Sequence, residues 1–163
     1  MVQEMDDLEP DETVVVPTRR LAHHLESRWN DRCAASGLQV WRTPSILTWS
    51  ELLARMFRLD REAGRLDRRW LPSVAAEMWW ERAVRRHSAS QELLAPAGLG
   101  RSAYRSWRLM HEYLIPLEAL ADADGREELA FQEWVYAYRG WLNSGAWMDP
   151  AQAAGAVSPE AAG

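Results

Sequence analysis

Lysine is missing from this sequence, in which all 19 basic residues are arginine. A Walker A P-loop requires a lysine that reaches the β- and γ-phosphates of a bound nucleotide. Nucleases with a PD-(D/E)XK core require one beside their carboxylates, and Schiff-base chemistry requires the lysine amine itself. We therefore expect a chain that is not an enzyme of any of these kinds and that carries no cofactor.

Cysteine and long apolar runs are also scarce. The single Cys33 cannot form an internal disulfide, which fits a cytoplasmic location. No run reaches the roughly 18 apolar residues of a membrane span, so we expect no contact with a membrane. Residues 1–12 are acidic and lack the basic and apolar regions of a secretory signal, and we expect them to be disordered.

The charges of the chain are segregated along its length. Residues 1–12 carry six acidic groups and no basic one, residues 13–110 have a net charge of +8, and residues 111–163 one of −7. A basic block inside an acidic chain predicts an anionic partner, either nucleic acid or an acidic protein surface. Solvated helix faces would give the same distribution, so that alternative stays open.

Two short stretches each predict a buried strand that runs through a threonine into a helix. Val14–Val16 is a β-branched run, and Thr18 is the expected N-cap of the following helix. Ile46–Leu47 predicts a second strand end, followed by a capping box of Thr48 and Glu51. Such junctions direct backbone N–H groups and a hydroxyl beyond the carboxyl end of the strand, where open α/β sheets bind ligands. Phosphate groups are the expected ligands.

Apolar stripes with helical spacing predict the core. Leu38–Trp41 alternates like a short strand, and Gly37 and Gly64 are expected to end the first two helices. The residues predicted to face inward are Leu21, Ala22, Leu25, Trp29 and Cys33; Leu52, Leu53, Met56 and Phe57; Val74, Met78, Trp79 and Ala83; Leu99, Ala103, Trp107, Met110 and Leu114; and Phe131, Trp134, Val135, Tyr138 and Leu142.

The order of these elements predicts an α/β fold class that becomes all helical. We expect a parallel βαβ part over residues 13–70 and a helical subdomain over residues 71–148. Asp149 followed by Pro150 predicts the start of a short last helix, and residues 149–163 end in a loose tail.

The histidines and the cysteine predict no metal site. His23 and His24 are adjacent and therefore point apart on a helix, and His87 and His111 have no ligand partner at a suitable spacing. Cys33 lies on an apolar stripe and is expected to be a core thiol.

Trp49 and a run of arginines are candidate nucleic-acid contacts. Trp49 begins the second helix, where an indole can stack on a base or hold the helix start in place. Arg55 and Arg58 begin an arginine run, continued at 61, 65, 68 and 69, that could hold a phosphate backbone. A solvated face near a helix C-terminus, where arginine complements the dipole, is the other interpretation.

The two junctions resemble elements of known helicases. Val14–Leu25, with its V-V-V-P-T-R-R-L-A stretch, resembles motif Ia of superfamily 1 helicases of the UvrD/Rep type, and Ile46–Leu52 resembles their later T-F-H-x-L element. The chain is more similar to the inactive N-terminal helicase-like region of AddB/RexB-like probable DNA repair proteins, which end in a PD-(D/E)XK nuclease. The helices around Leu109–Glu112 and Phe131–Trp134 share this resemblance.

The resemblance implies a partial RecA-like sheet with a helical insertion, acting as a non-catalytic DNA-binding or scaffolding module in double-strand-break repair. It implies single-stranded DNA as a partner, together with a cognate helicase–nuclease subunit or a C-terminal nuclease domain. With the arginines above, the candidate contact residues are Thr18, Arg19, Arg20, Thr48, Trp49, Ser50, Arg55 and Arg58.

The sequence departs from the helicase pattern in two ways, and two other functions stay open. Ser50 stands where the helicases have histidine, and the sequence contains neither a Walker A segment nor the nuclease motif, so ATPase and nuclease activity are not implied. One alternative is a protein–protein interaction module whose basic block docks on an acidic partner subunit. The other is a fragment that is inactive on its own.

Overall fold

A computed structural model describes residues 9–86, 96–120 and 125–158 of the chain. The fold is mixed α/β and mostly helical, with small parallel sheets. Its elements are β1 (Thr13–Val16), α1 (Arg19–Ala35), β2 (Ser45–Thr48), α2 (Trp49–Glu62), β3 (Arg69–Trp70), α3 (Ser73–Arg86), α4 (Pro96–Glu112), a 3-10 helix (Leu117–Leu120), α5 (Arg126–Ser144), β4 (Trp147–Met148) and α6 (Pro150–Ala153). None of these helices is both long and apolar enough to cross a membrane.

The described residues form two compact units. Unit 1 extends to Leu59 and includes Ser158, and unit 2 comprises Asp60–Val157. The division lies within α2, whereas the sequence placed a boundary near residue 70. Residues 1–8, residues 159–163 and His87 lie outside the described residues. Within the segment expected to be disordered, residues 9–12 form a turn in which the Glu12 amide donates to the Glu9 carbonyl over 3.1 Å.

In unit 1, α1 covers a parallel pair of strands. β1 and β2 pair in register from Thr13 with Ser45 to Val16 with Thr48. Ala22 of α1 is buried with Val16 and Ile46. These pairings confirm the predicted order of strand, helix and parallel strand.

The predicted ends of α1 are confirmed. The Leu21 amide donates to Thr18 Oγ1 over 3.2 Å, which makes Thr18 the N-cap. Gly37 follows the helix with a φ of +75°, a left-handed conformation that glycine adopts without strain. Of the predicted stripe, Trp29 and Cys33 are buried, whereas Leu21 is partly exposed.

The prediction of a strand over Leu38–Trp41 is wrong. Its alternating side chains find no buried face, since Leu38 is 51% and Val40 88% exposed. Indole hydrogen bonds tie the segment to α1 instead. Trp41 Nε1 donates to Asn30 Oδ1 over 2.8 Å. Trp29 Nε1 donates to the Arg42 carbonyl, directly after the segment, over 3.0 Å.

In unit 2, α3, α4 and α5 pack around fully buried aromatic side chains. The ring centroid of Trp80 lies 4.7 Å from that of Tyr138 and 5.9 Å from that of Trp107. Gly100 lets the backbones of α3 and α4 approach closely, because a Cβ there would lie 2.7 Å from the Cα of Glu81. The inward stripe predicted for α5 is confirmed, with Phe131 partly buried at its start.

The predicted faces of α3 and α4 need correction. Val74 and Met78 are 73% and 64% exposed, and the buried stripe of α3 is Ala76, Trp80, Ala83 and Val84. This face is the buried one because the small side chains of Ala76 and Ala83 let α4 pack closely against α3. α4 ends at Glu112, and Leu114 lies beyond it at a φ of 53° and 87% exposed.

A second parallel pair of strands, β3 and β4, was not predicted. Arg69 pairs with Trp147, and Trp70 pairs with Met148. The start of α6 is confirmed: Asp149 Oδ1 accepts a hydrogen bond from the Ala151 amide over 2.7 Å, with Pro150 at the first helical position.

Candidate nucleic-acid interface

The register of unit 1 brings the two strand–threonine–helix junctions to one edge. Because Val16 pairs with Thr48 in a parallel sheet, the carboxyl ends of β1 and β2 lie side by side. α1 and α2 therefore begin at the same edge. The first-turn amides of a helix have no partner within the helix and carry a partial positive charge, so two such ends together favour an anion. We refer to this part of unit 1 as the junction edge.

Glu51 connects the two junctions. Its Oε2 accepts hydrogen bonds from the Thr48 amide over 2.9 Å and from the Thr48 hydroxyl over 2.8 Å. Its Oε1 lies 3.2 Å from Arg19 Nη2. The hydrogen bonds from Thr48, with the charge of Arg19, lower the pKa of Glu51 below its ordinary value, so the carboxylate remains ionised.

This arrangement confirms the capping box and adds a contact that the sequence did not suggest. The Glu51 amide donates to Thr48 Oγ1 over 3.4 Å, which completes the box. The hydroxyl proton of Thr48 is thus engaged by Glu51 and is not open to a ligand. The Arg19 contact depends on strand pairing, and no local spacing could have predicted it.

Several groups at the junction edge remain open to solvent. The side chain of Arg19 is 77% exposed despite its ion pair, and Trp49 is 55% exposed. Arg20 and Ser50 are also exposed, and Arg20 has no ion pair or hydrogen bond to any described residue. Thr18 accepts from an amide and can still donate its hydroxyl proton. The exposure of Trp49 argues against the alternative in which this indole holds the helix start in place.

Arg55 and Arg58 do not lie at the junction edge. Arg55 Nη1 donates to Ser45 Oγ over 3.0 Å, and Ser45 is the first residue of β2, whereas Thr48 is the last. At about 3.3 Å per residue, the ends of this strand are about 10 Å apart. Arg58 is exposed and lies farther along α2. α2 therefore carries both arginines away from the site.

The later arginines of the run serve the fold of unit 2. Arg65 forms an ion pair with the fully buried Asp60 over 2.6 Å. Arg68 Nη1 donates to the Trp147 carbonyl over 3.1 Å, and Arg69 Nη2 to the Gly145 carbonyl over 2.6 Å. These contacts account for part of the basic block without any nucleic acid.

The titratable groups inside unit 2 are closed to a substrate. Tyr138 donates its hydroxyl proton to Asp149 Oδ2, and Asp149 is fully buried. Burial raises the pKa of both groups, and burial together with Asp149 raises the pKa of Tyr104 to about 12. Within the described ranges, no group of three His, Cys, Asp or Glu side chains could hold a metal ion.

Unit 2 also has a groove and several exposed apolar side chains. A cavity of about 280 Å³ lies between the 3-10 helix and α5. Its lining residues are Leu117, Glu118, Leu120, Gln132, Val135, Tyr136 and Arg139. Tyr136 is 70% exposed, and Tyr113 and Leu114, after α4, are 69% and 87% exposed.

Comparison of the chain with protein-family models, with curated proteins and with solved structures found no match. The geometry of its own side chains is therefore the main guide to function. At the junction edge that geometry combines exposed arginine, an exposed indole and two helix N-termini. The carboxylate of Glu51 is a counter-charge to this positive potential.

Proposed function

We propose that this chain is a non-catalytic module that binds single-stranded DNA and scaffolds a helicase–nuclease in double-strand-break repair. The observation that carries the proposal is the meeting of the two junctions at one edge, with Arg20 and Trp49 exposed beside them. The resemblance to AddB/RexB-like proteins supplies the biological setting, in the cytoplasm. In that setting β1, α1, β2 and α2 correspond to part of a RecA-like sheet.

The junction edge suits the backbone and bases of a single strand. Phosphate oxygens accept hydrogen bonds from first-turn amides and from the guanidinium groups of Arg19 and Arg20. Trp49 offers a ring face to a base, and such stacking contributes about 1–3 kcal/mol per base without regard to sequence. Glu51 already neutralises part of the charge of Arg19, so a single small anion would find little net positive charge at the edge. A strand with several phosphates contacts more of the edge at once and is therefore the favoured ligand.

A salt titration of DNA binding tests this proposal. Labelled oligothymidine is titrated with the whole chain at increasing salt, and affinity is measured by fluorescence anisotropy. Each phosphate contact to a single strand contributes about 0.7 to the slope of log affinity against log salt, so Arg19→Ala with Arg20→Ala reduces the slope by about 1.4. Arg101→Ala with Arg105→Ala, which removes the same charge from α4, serves as the control. Absence of binding at low salt contradicts the proposal.

A protein–protein interaction module is the second candidate. The observation that favours it is that three large side chains of unit 2, Tyr113, Leu114 and Tyr136, are mostly exposed. Calorimetric titration with the cognate helicase subunit tests it, because Leu114→Asp should abolish binding that uses these side chains. Binding that survives Leu114→Asp and is lost at high salt points instead to the basic block.

A further inference from the structure

Unit 2 carries a cluster of indole rings on its surface. The ring centroid of Trp79 lies 6.3 Å from that of Trp141 and 6.1 Å from that of Trp147, with interplanar angles of 86° in both pairs. All three side chains are only partly buried. Edge-to-face contacts of this kind fix the rings relative to one another, so the cluster is a rigid platform.

Exposed arginines cover this platform. The guanidinium carbon of Arg69 lies 4.0 Å from the ring centroid of Trp147. Those of Arg82 and Arg86, one turn apart on α3, lie 5.1 and 5.7 Å from the centroid of Trp141. We call these three arginines with Trp141 and Trp147 the indole–arginine surface.

No carboxylate among the described residues of unit 2 pairs with the arginines of this surface. Neither Arg82 nor Arg86 has an acidic partner among the described residues, and Arg69 donates to a carbonyl rather than to a carboxylate. Arg85, between them in sequence, differs because it is paired with Glu81 one turn earlier. Arg69 thus also stabilises the fold, whereas Arg82 and Arg86 place two like charges one turn apart on the same helix, where they repel each other.

We propose that the indole–arginine surface binds the phosphate backbone of a single-stranded nucleic acid. The guanidinium groups of Arg82 and Arg86 lie over the ring of Trp141, which leaves their N–H edges open to a ligand and restricts their rotamers before the ligand arrives. Such an edge matches a phosphate in a bidentate geometry. Bases of a flexible single strand can stack on the outer faces of these guanidinium planes, which the stacked bases of a duplex cannot do.

This surface extends the proposed function to unit 2 and rests on it only for the choice of a single-stranded ligand. An acidic polypeptide would meet the same charges but would gain nothing from the faces of the guanidinium planes. Competition between the two ligands at equal charge therefore distinguishes them.

The test uses the whole chain, labelled oligothymidine and a matched pair of double variants. Arg82→Gln with Arg86→Gln removes two charges one turn apart from the indole–arginine surface. Arg101→Gln with Arg105→Gln removes two charges one turn apart from α4, where no ring lies beneath them among the described residues. We expect the first variant to lower the slope of log affinity against log salt by about 1.4 and the second to leave it unchanged.

Three outcomes overturn the inference. The first is equal slopes for the two double variants. The second is equal competition by polyglutamate of the same charge. The third is a normal slope for Arg82→Gln with Arg86→Gln when Arg19→Ala with Arg20→Ala lowers it, and this result leaves the proposed function intact. The converse result supports the indole–arginine surface and rejects the junction edge. If the glutamine variant fails to fold, Arg82→Lys with Arg86→Lys should keep the slope and lose affinity, because lysine keeps the charge but not the fork.

Discussion

The interiors of the two units are built from different kinds of side chain. In unit 1 the cluster that joins the sheet to α1 contains Val16, Ala22 and Ile46, and Val15 on the same sheet is 46% exposed. The α2 side chains predicted to face inward add to this interior, since Leu52, Leu53, Met56 and Phe57 are all buried. In unit 2 the core contains the fully buried Trp80, and further large aromatic side chains surround it. The interior of unit 1 is thus built mainly of aliphatic side chains and lies beside an exposed, polar junction edge, whereas large rings fill the closed interior of unit 2.

The largest expected effect comes from removal of the central indole of unit 2. Trp80→Ala should lower the free energy of unfolding by about 3–5 kcal/mol, because it leaves a cavity among the buried rings. Trp49→Ala removes an exposed indole from unit 1 and should change the free energy of unfolding by less than about 0.5 kcal/mol. Urea unfolding followed by circular dichroism measures both. Equal losses for the two variants would contradict the assignment of the main core to unit 2.

A smaller effect is expected where α3 and α4 meet. Gly100→Ala should cost about 1–3 kcal/mol, because the new methyl group lies against the backbone of Glu81. Gly140→Ala in α5 is the matched control, since nothing lies within 4 Å of its added Cβ. That variant should stabilise unit 2 by about 0.5–1 kcal/mol through helix propensity. Thermal unfolding of both variants measures the two changes, and a Gly100→Ala variant as stable as Gly140→Ala would contradict the close packing of α3 against α4.

The smallest effect, a pH dependence, should have opposite signs in the two units. The pKa of Glu51 is lowered from 4.5, mainly by hydrogen bonds from Thr48, so its contribution to unit 1 is present above that value and is lost as pH falls. Burial raises the pKa of Asp149 from 3.8, so its contribution to unit 2 is present below that value and is lost as pH rises through the raised pKa.

Unfolding measured between about pH 3 and pH 7 tests this contrast. Glu51→Gln should remove the loss of stability in acid, and Asp149→Asn should remove the loss at higher pH. If both variants changed the pH dependence of unfolding in the same direction, the opposite pKa shifts of Glu51 and Asp149 would be contradicted.

Features set by neighbouring residues could be predicted from the sequence, and features set by distant contacts could not. The caps at Thr18, Thr48 and Asp149 depend on residues two or three positions away, and all three are confirmed. The pairing of β3 with β4 joins residues as far apart as Arg69 and Trp147, and no local pattern indicated it.

The choice of buried face was ambiguous where apolar residues are adjacent. Trp79 and Trp80 both fit a helical stripe, and the positions of α4 and α5 decide that Trp80 is fully buried. The candidate site shows the same limit. Strand pairing brings the two junctions together as expected, but the direction of α2 takes Arg55 to Ser45 at the far end of β2.

The exposure of Trp49 has a spectroscopic consequence. An indole in water emits at longer wavelengths than one in an apolar core, and a dissolved quencher reaches it first. Trp49 is 55% exposed, whereas Trp29 in the same unit is buried and donates its indole proton to a carbonyl. Trp49→Phe should therefore shift the emission of the unlabelled protein to shorter wavelengths, and the difference from the unchanged chain reports on the junction edge without any added dye.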